Sequence, residues 1–166
     1  MNTDDLYGLA ERVIAAAREA KVTIVSAESL TGGAICATLC DVPGASQVIR
    51  GAAVTYSAEM KHRVLEVSAE RLAQFGPVDQ VVAEQMALGA RELFNADIAV
   101  AVTGVAGPGS ADGKPAGTVY IAVSTAGGAV VRRCCLPGQR AQVRHATVAT
   151  ALEMLLDTIG DDLRDK

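Results

Sequence analysis

Apolar positions Leu6, Leu9, Val13, Ile14 and Ala17 recur at helical spacing between Asp4 and Ala20, which predicts an amphipathic first helix with Thr3 placed to cap it. The run "VTIVSA", beginning at Val22, then reads as a buried strand, and "TGGAICATLC" as a short helix directly after a polar turn. "DVPGAS" is a loop by its Pro and Gly, and "QVIRGAAVTYS" returns to strand. The segment "AEMKHRVLEVSAERLAQFG" predicts two short helices, the second capped by Ser68, and "VDQVVAEQMALGARELFNA" a longer one capped by Asp79. Three strands follow in "DIAVAVT", "GTVYIAVST" and "AVVRRCCL", the last two joined through "AGG" as a hairpin. A helix from about Gln139 to Leu163 closes the chain, with Val143, Ala146, Val148, Ala149, Leu152, Leu155 and Leu156 on its apolar face.

Strands interleaved with helices imply one α/β domain over residues 1–166, with helices on both faces of the sheet. The terminal hairpin makes that sheet mixed and mostly parallel. Half of the 166 residues are hydrophobic, yet only 3% are aromatic and Trp is absent, so the core must be built from Ala, Val, Leu and Ile. Layers of such small side chains pack closely.

A net charge of −4 argues against a general nucleic-acid surface, which requires a basic face. A local basic pocket remains open, drawn from Lys61, Arg63, Lys114, Arg140 and Arg144. The acidic start "MNTDDLYGLAERV" has no basic and apolar signal pattern, and no apolar run has membrane-spanning length, so a cytoplasmic chain that does not engage a membrane is expected. Cys36 and Cys40 lie one helical turn apart and Cys134 and Cys135 are adjacent, neither in C-x-x-C spacing, while His62 and His145 are isolated. Packed or free thiols and no metal site are expected.

Three polar clusters end apolar strands, where an α/β sheet can bring them to one crevice: "SAESLTGG", "VTYSAEMK" and "TGVAGPGSADGKPAG". In the first, Gly32 and Gly33 let the backbone approach a ligand, and the amides of the helix start favour an anion. Thr31 can cap that helix or donate to a phosphate, Ser29 is a candidate nucleophile, and Glu28 can orient a ligand hydroxyl or an amine. In the second, Tyr56 or Lys61 can act as base at neutral pH if burial or a neighbouring charge lowers its pKa. The third, from Thr103 to Gly117, is too long for a tight turn, and its "GVAGPG" offers amides to a phosphate or an oxyanion. It lacks the G-x-G-x-x-G order of a dinucleotide-binding fingerprint.

Taken together, "AESLTGG", "RGAAVTYSAEMK", "TGVAGP" and "KPAGTVYIAV" closely resemble the C-terminal domain family of CinA, the competence- and damage-inducible protein. The likeness covers nearly the whole chain in order. It implies a three-layer α/β/α sandwich and hydrolysis of nicotinamide mononucleotide to nicotinate mononucleotide and ammonia, a step in pyridine nucleotide recycling, with no metal or organic cofactor. The family's serine in A-E-S maps to Ser29, its tyrosine and lysine in the V-T-Y-S stretch to Tyr56 and Lys61, and a further serine, before the second strand, to Ser46. On that mapping Ser29 attacks, Tyr56 and Lys61 relay protons, amides from Thr103 through Gly104 to Gly107 hold the oxyanion, and the "SLTGG" helix start with Arg140 holds the phosphate. Where members have G-x-V-S, this chain has "GPVDQ", with Asp79 in place of the serine. The large N-terminal domain of longer members is absent from this sequence, so only the amidohydrolase activity is expected to carry over. A homo-oligomer, a dimer, is expected from the Ala-rich helix face. The rival reading is a nucleotide-binding regulatory module without catalysis, which would need the glycines but not Tyr56 and Lys61.

Overall fold

The computed structural model describes residues 3–164, and side chains from residue 6 to residue 160. Helix α1 (Thr3–Ala20) precedes strand β1 (Ile24–Glu28), and helix α2 (Ala34–Cys40) and a single 3-10 turn (Ala45–Gln47) lead to β2 (Ile49–Val54). Helices α3 (Ala58–Leu65), α4 (Ala69–Phe75) and α5 (Gln80–Leu93) connect β2 to β3 (Ile98–Gly104). Strands β4 (Thr118–Thr125) and β5 (Gly128–Cys135) form the hairpin, and α6 (Arg140–Arg164) ends the described chain. The expected cap at Thr3 falls on a side chain outside those described. Ser68 and Asp79 do cap α4 and α5, accepting from Arg71 N and from Val81 N and Val82 N respectively.

The strand order is β2-β1-β3-β4-β5, with β1 parallel to both of its neighbours and β4 antiparallel to both of its own. Only β4 therefore runs against the other strands, and the sheet is mixed and mostly parallel. Alternation along β1, β3 and β4 sends most of the larger side chains to one face and the alanines to the other, where Val25 and Tyr120 are the larger exceptions. Ile24, Ile98, Val100, Val102, Val119, Ile121 and Val123 face α1, α2 and α6, whereas Ala27, Ala99, Ala101 and Ala122 face α5. Small residues on the second face let one long helix, presenting Val82, Ala83, Met86, Ala87 and Ala90, lie close on the sheet. This produces the three layers, with β1, β3 and β4 buried between them.

Chain order turns the middle of the sheet into a site. From the carboxyl end of β1 the chain passes to β2 on one side, and from the carboxyl end of β3 it passes to β4 on the other, so the connections diverge above these two strand ends. Such a switch point leaves a crevice. The three polar clusters all begin there.

Candidate active site

Glu28 closes β1 with a side chain that is 0% exposed, an arrangement that needs full compensation. Five donors supply it: Ser26 Oγ at 2.9 Å, Thr31 Oγ1 at 2.7 Å, and the amides of Gly33, Ile35 and Cys36 at 2.9, 3.1 and 2.9 Å. The carboxylate thus occupies the amino end of α2, where the sequence predicts a bound phosphate. Thr31 caps nothing directly; the residue before α2 is Gly33, at φ +97°, a conformation that only glycine adopts freely. Glu28, Thr31 and Gly33 are the inner scaffold of the turn, and their polar groups point at one another instead of at a ligand.

The scaffold fixes Ser29. Its amide donates to Val102 O at 3.1 Å and its carbonyl accepts from Gly32 N at 3.0 Å, so the residue leaves the sheet in a tight turn. Arg144, from α6, clamps that turn from outside by donating to Leu30 O at 2.9 Å and Thr31 O at 2.7 Å.

Lys61 approaches from α3. Ser57 caps this helix by accepting from Met60 N, and the helix end sits against Gly89 of α5, where a Cβ would lie 2.0 Å from Leu65 O. That close approach drives the lysine into the protein, where its side chain is 0% exposed. Its Nζ donates to Thr55 O at 2.7 Å and lies 3.0 Å from Ser29 Oγ. Burial lowers the Lys61 pKa from 10.5 to about 8, with the Asp112 carboxylate opposing part of the shift. A neutral amine aimed by the Thr55 carbonyl can take a proton from the serine.

Ser29, Lys61, Pro77, Val78 and Thr103 border a cavity of about 130 Å³. Thr103 Oγ1 donates to Pro77 O at 2.7 Å, which ties the end of β3 to the segment before α5. Tyr56 and Arg140 stand at the rim of this cavity, and Arg140 donates to Tyr56 Oη at 2.8 Å and to Gly107 O at 2.9 Å. Tyr56 is 59% exposed, and its hydroxyl meets the guanidinium, whereas the lysine meets the serine directly. Where the sequence predicts a three-residue relay, the contact in the structure has two members. A second cavity of about 720 Å³ adjoins the first through Ala106 and Arg140 and is bordered by Gly107, Gly138 and Arg144.

Residues 6–159 match the family described as the CinA C-terminal domain. The chain belongs to the CinA C-terminal domain family. It is 40% identical over 157 residues, 93% of this chain and 95% of the other, to the nicotinamide-nucleotide amidohydrolase PncC of Escherichia coli K12. It is also 45% identical over 141 residues to a CinA-like protein of Mycobacterium sp. (strain MCS), but there covers only 34% of the relative. The chain spans about a third of the length of such longer CinA relatives, from 33% to 37%. Among solved structures, the CinA superfamily protein KP700603 of Klebsiella pneumoniae superposes with a TM-score of 0.91 at 34% identity, over 97% of this chain and 99% of that one. The competence/damage inducible protein CihA of Agrobacterium tumefaciens does so with a TM-score of 0.88 at 40% identity, over 92% and 94%.

Of the residues that the CinA resemblance points to, Ser29 and Lys61 meet and Tyr56 stands beside them. Ser46 does not. It lies exposed on the 3-10 turn that precedes β2, whereas Ser29 follows β1, and because β1 and β2 are parallel the two serines sit at opposite ends of the sheet. A strand of this length separates them by roughly 17–20 Å. Gly32, at φ +64°, packs under Arg144, and Gly104 permits the close pairing of β3 with β4 at Val119. Arg63 pairs with Glu59 on the exposed face of α3 and is not part of the pocket.

Of the cations that the sequence offers for a basic pocket, Arg140 and Arg144 lie one helical turn apart on α6, whereas Asp112 escapes the sequence reading. Asp112, which also borders the small cavity, is the one carboxylate in the long glycine-rich loop. The four cysteines are free, with the Cys36 and Cys40 sulfurs 3.9 Å apart. Among the described residues no group of three His, Cys, Asp or Glu side chains could hold a metal ion, and no helix is long and apolar enough to cross a membrane.

Proposed function

We propose that this protein hydrolyses the carboxamide of nicotinamide mononucleotide, giving nicotinate mononucleotide and ammonia, and so serves the recycling of pyridine nucleotides. The observation that carries the reading is the buried Lys61 amine 3.0 Å from Ser29 Oγ at the wall of a cavity the size of one aromatic ring and its amide. The kinship with PncC of E. coli supplies the substrate class.

Ser29 Oγ attacks the carboxamide carbon while Lys61, neutral, takes the hydroxyl proton. Backbone amides in the Thr103 to Gly107 segment stabilise the oxyanion as it forms. The tetrahedral intermediate collapses as Lys61 returns the proton to the departing nitrogen, which leaves as ammonia and an acyl ester on Ser29. Water then attacks the ester with Lys61 again as base, and the nicotinate carboxyl and the free serine are regenerated. Tyr56 lines the ribose side of the mouth. Since Glu28 fills the amino end of α2, the 5′-phosphate goes to the adjoining larger cavity, against Arg140, Arg144 and the loop at Gly107.

The test is ammonia release from nicotinamide mononucleotide by the purified chain. Ser29→Ala should reduce kcat by several powers of ten, as for nucleophiles that act with a base, and Ser46→Ala should leave it within about threefold. Ammonia release undiminished in Ser29→Ala would overturn the mechanism, and no release from the native chain would overturn the activity.

A further inference from the structure

Asp112 stands at the small cavity with no part in the proton transfers above. It belongs to the loop between β3 and β4, at φ +51°, inside a reversal closed by reciprocal amide-to-carbonyl bonds between Ala111 and Lys114 of 3.0 and 2.9 Å. The side chain rests over the end of α4. A Cβ on Gly76 would lie 3.5 Å from Asp112 Cβ and 3.9 Å from Oδ1, ordinary contact distances that place the Asp112 side chain against the turn ending α4. From that seat the carboxylate borders the cavity together with Ser29, Lys61 and Arg140.

The charges around this cavity are unequal. Lys61 and Arg140 are basic, and Asp112 is the one acidic side chain among its described lining residues. Glu28 is sealed beneath the turn by its five donors and contributes no free carboxylate oxygen to the space. A site with only cations on its wall would repel a cationic ligand. In nicotinamide mononucleotide the ring nitrogen bears the ribose and a formal positive charge, which has to enter this space along with the amide.

Resting on the amidohydrolase reading, we infer that Asp112 is a specificity-determining residue that faces the pyridinium ring and selects oxidised, cationic nicotinamide nucleotides over those with a neutral ring. The carboxylate favours the charged form of Lys61, so the two groups interact electrostatically across the cavity they share. A loop position suits this role: an exposed carboxylate on a glycine-flanked turn can adjust to the ring as the nucleotide enters, at little cost to the fold.

The experiment compares nicotinamide mononucleotide with its reduced, 1,4-dihydropyridine form, which keeps the amide, ribose and phosphate and, by gaining a hydride at C4, loses the ring's charge and aromaticity. Calorimetric Kd values are measured on Ser29→Ala, which does not turn over, with and without Asp112→Asn. Asp112→Asn should weaken the oxidised nucleotide about tenfold and the reduced one by less than about twofold. An effect transmitted through Lys61 has the opposite sign, because loss of the Asp112 carboxylate favours the neutral lysine, which repels the cationic ring less. Equal losses for the two nucleotides, or no loss for either, overturn the inference. So does failure of both to bind Ser29→Ala, and ammonia release by the native chain then tells whether the amidohydrolase reading falls with it.

Discussion

At the scale of single residues, the chemistry turns on how far Lys61 departs from an ordinary lysine. A solvated amine is almost wholly protonated at neutral pH, and burial makes the neutral form accessible near pH 8. The rate constant kcat/KM should therefore rise with pH along a limb with an apparent pKa of about 8 and level off above it. A pH profile that is flat from 6 to 9, taken as a span of about three units around that value, would remove Lys61 as the base. Lys61→Arg sharpens the point, since guanidinium keeps the charge but never deprotonates; it should reduce kcat by about 10³-fold at every pH. Stability follows with a definite sign. Between pH 8 and 10.5 the unfolded chain holds the Lys61 proton and the folded chain has released it, so the folded state gains stability as pH rises through that window. Sequence alone named Lys61 as a base only on the condition of burial. That condition was not legible, because it depends on Gly89 letting α3 press against α5, a contact between residues far apart in the chain.

At the scale of elements, the turn from β1 to α2 shows how local legibility ends. The strand, the glycine pair and the short helix are all readable from "VTIVSAESLTGGAICATLC", and the caps Ser68 and Asp79 are readable for the same reason: each acts on amides within three residues of itself. The direction of the Glu28 side chain is not. A carboxylate before a helix can face a ligand or turn back onto the helix amides, and here it turns back, because with no exposure it must find donors inside the protein. The helix end is then already neutralised and cannot also hold a phosphate. Glu28→Gln keeps the shape but sets an NH2 group against N–H and O–H donors. It should destabilise the fold by about 3 kcal/mol. Urea unfolding of the purified variant measures this, and a midpoint equal to that of the native chain would mean that the five bonds contribute nothing net. Because Ser29 leaves the sheet from this same turn, the surviving folded variant should also lose activity, with kcat affected more than KM.

At the scale of the whole molecule, the doubly crossed sheet explains why residues 32 positions apart, Ser29 and Lys61, meet at all. The fold class was legible from interleaved patterns, and so was the convergence of strand ends. Which serine reaches the crevice was decided by strand direction: Ser46 precedes its strand and Ser29 follows one, and a parallel pair sends those positions to opposite ends. Placement of the phosphate is a question at this same scale, since Arg140 and Arg144 come from α6, after every strand, and reach back to the loops of β1, β2 and β3. In a chain of net charge −4 these two guanidiniums form a local exception beside the cavity of about 720 Å³. A phosphate held there orients the ring in the smaller cavity, so its binding energy should appear in turnover as well as in affinity. Nicotinamide riboside, which lacks the phosphate, should be hydrolysed with a kcat/KM about 10²-fold below that of the mononucleotide, the worth of one or two charged hydrogen bonds. Arg140→Ala should erase most of that gap, reducing kcat/KM for the mononucleotide by about thirtyfold while changing the riboside by less than about threefold. A variant that slows both substrates alike would show instead that Arg140 acts only by tying Tyr56 to Gly107, and the phosphate would have to be sought on another wall of the crevice.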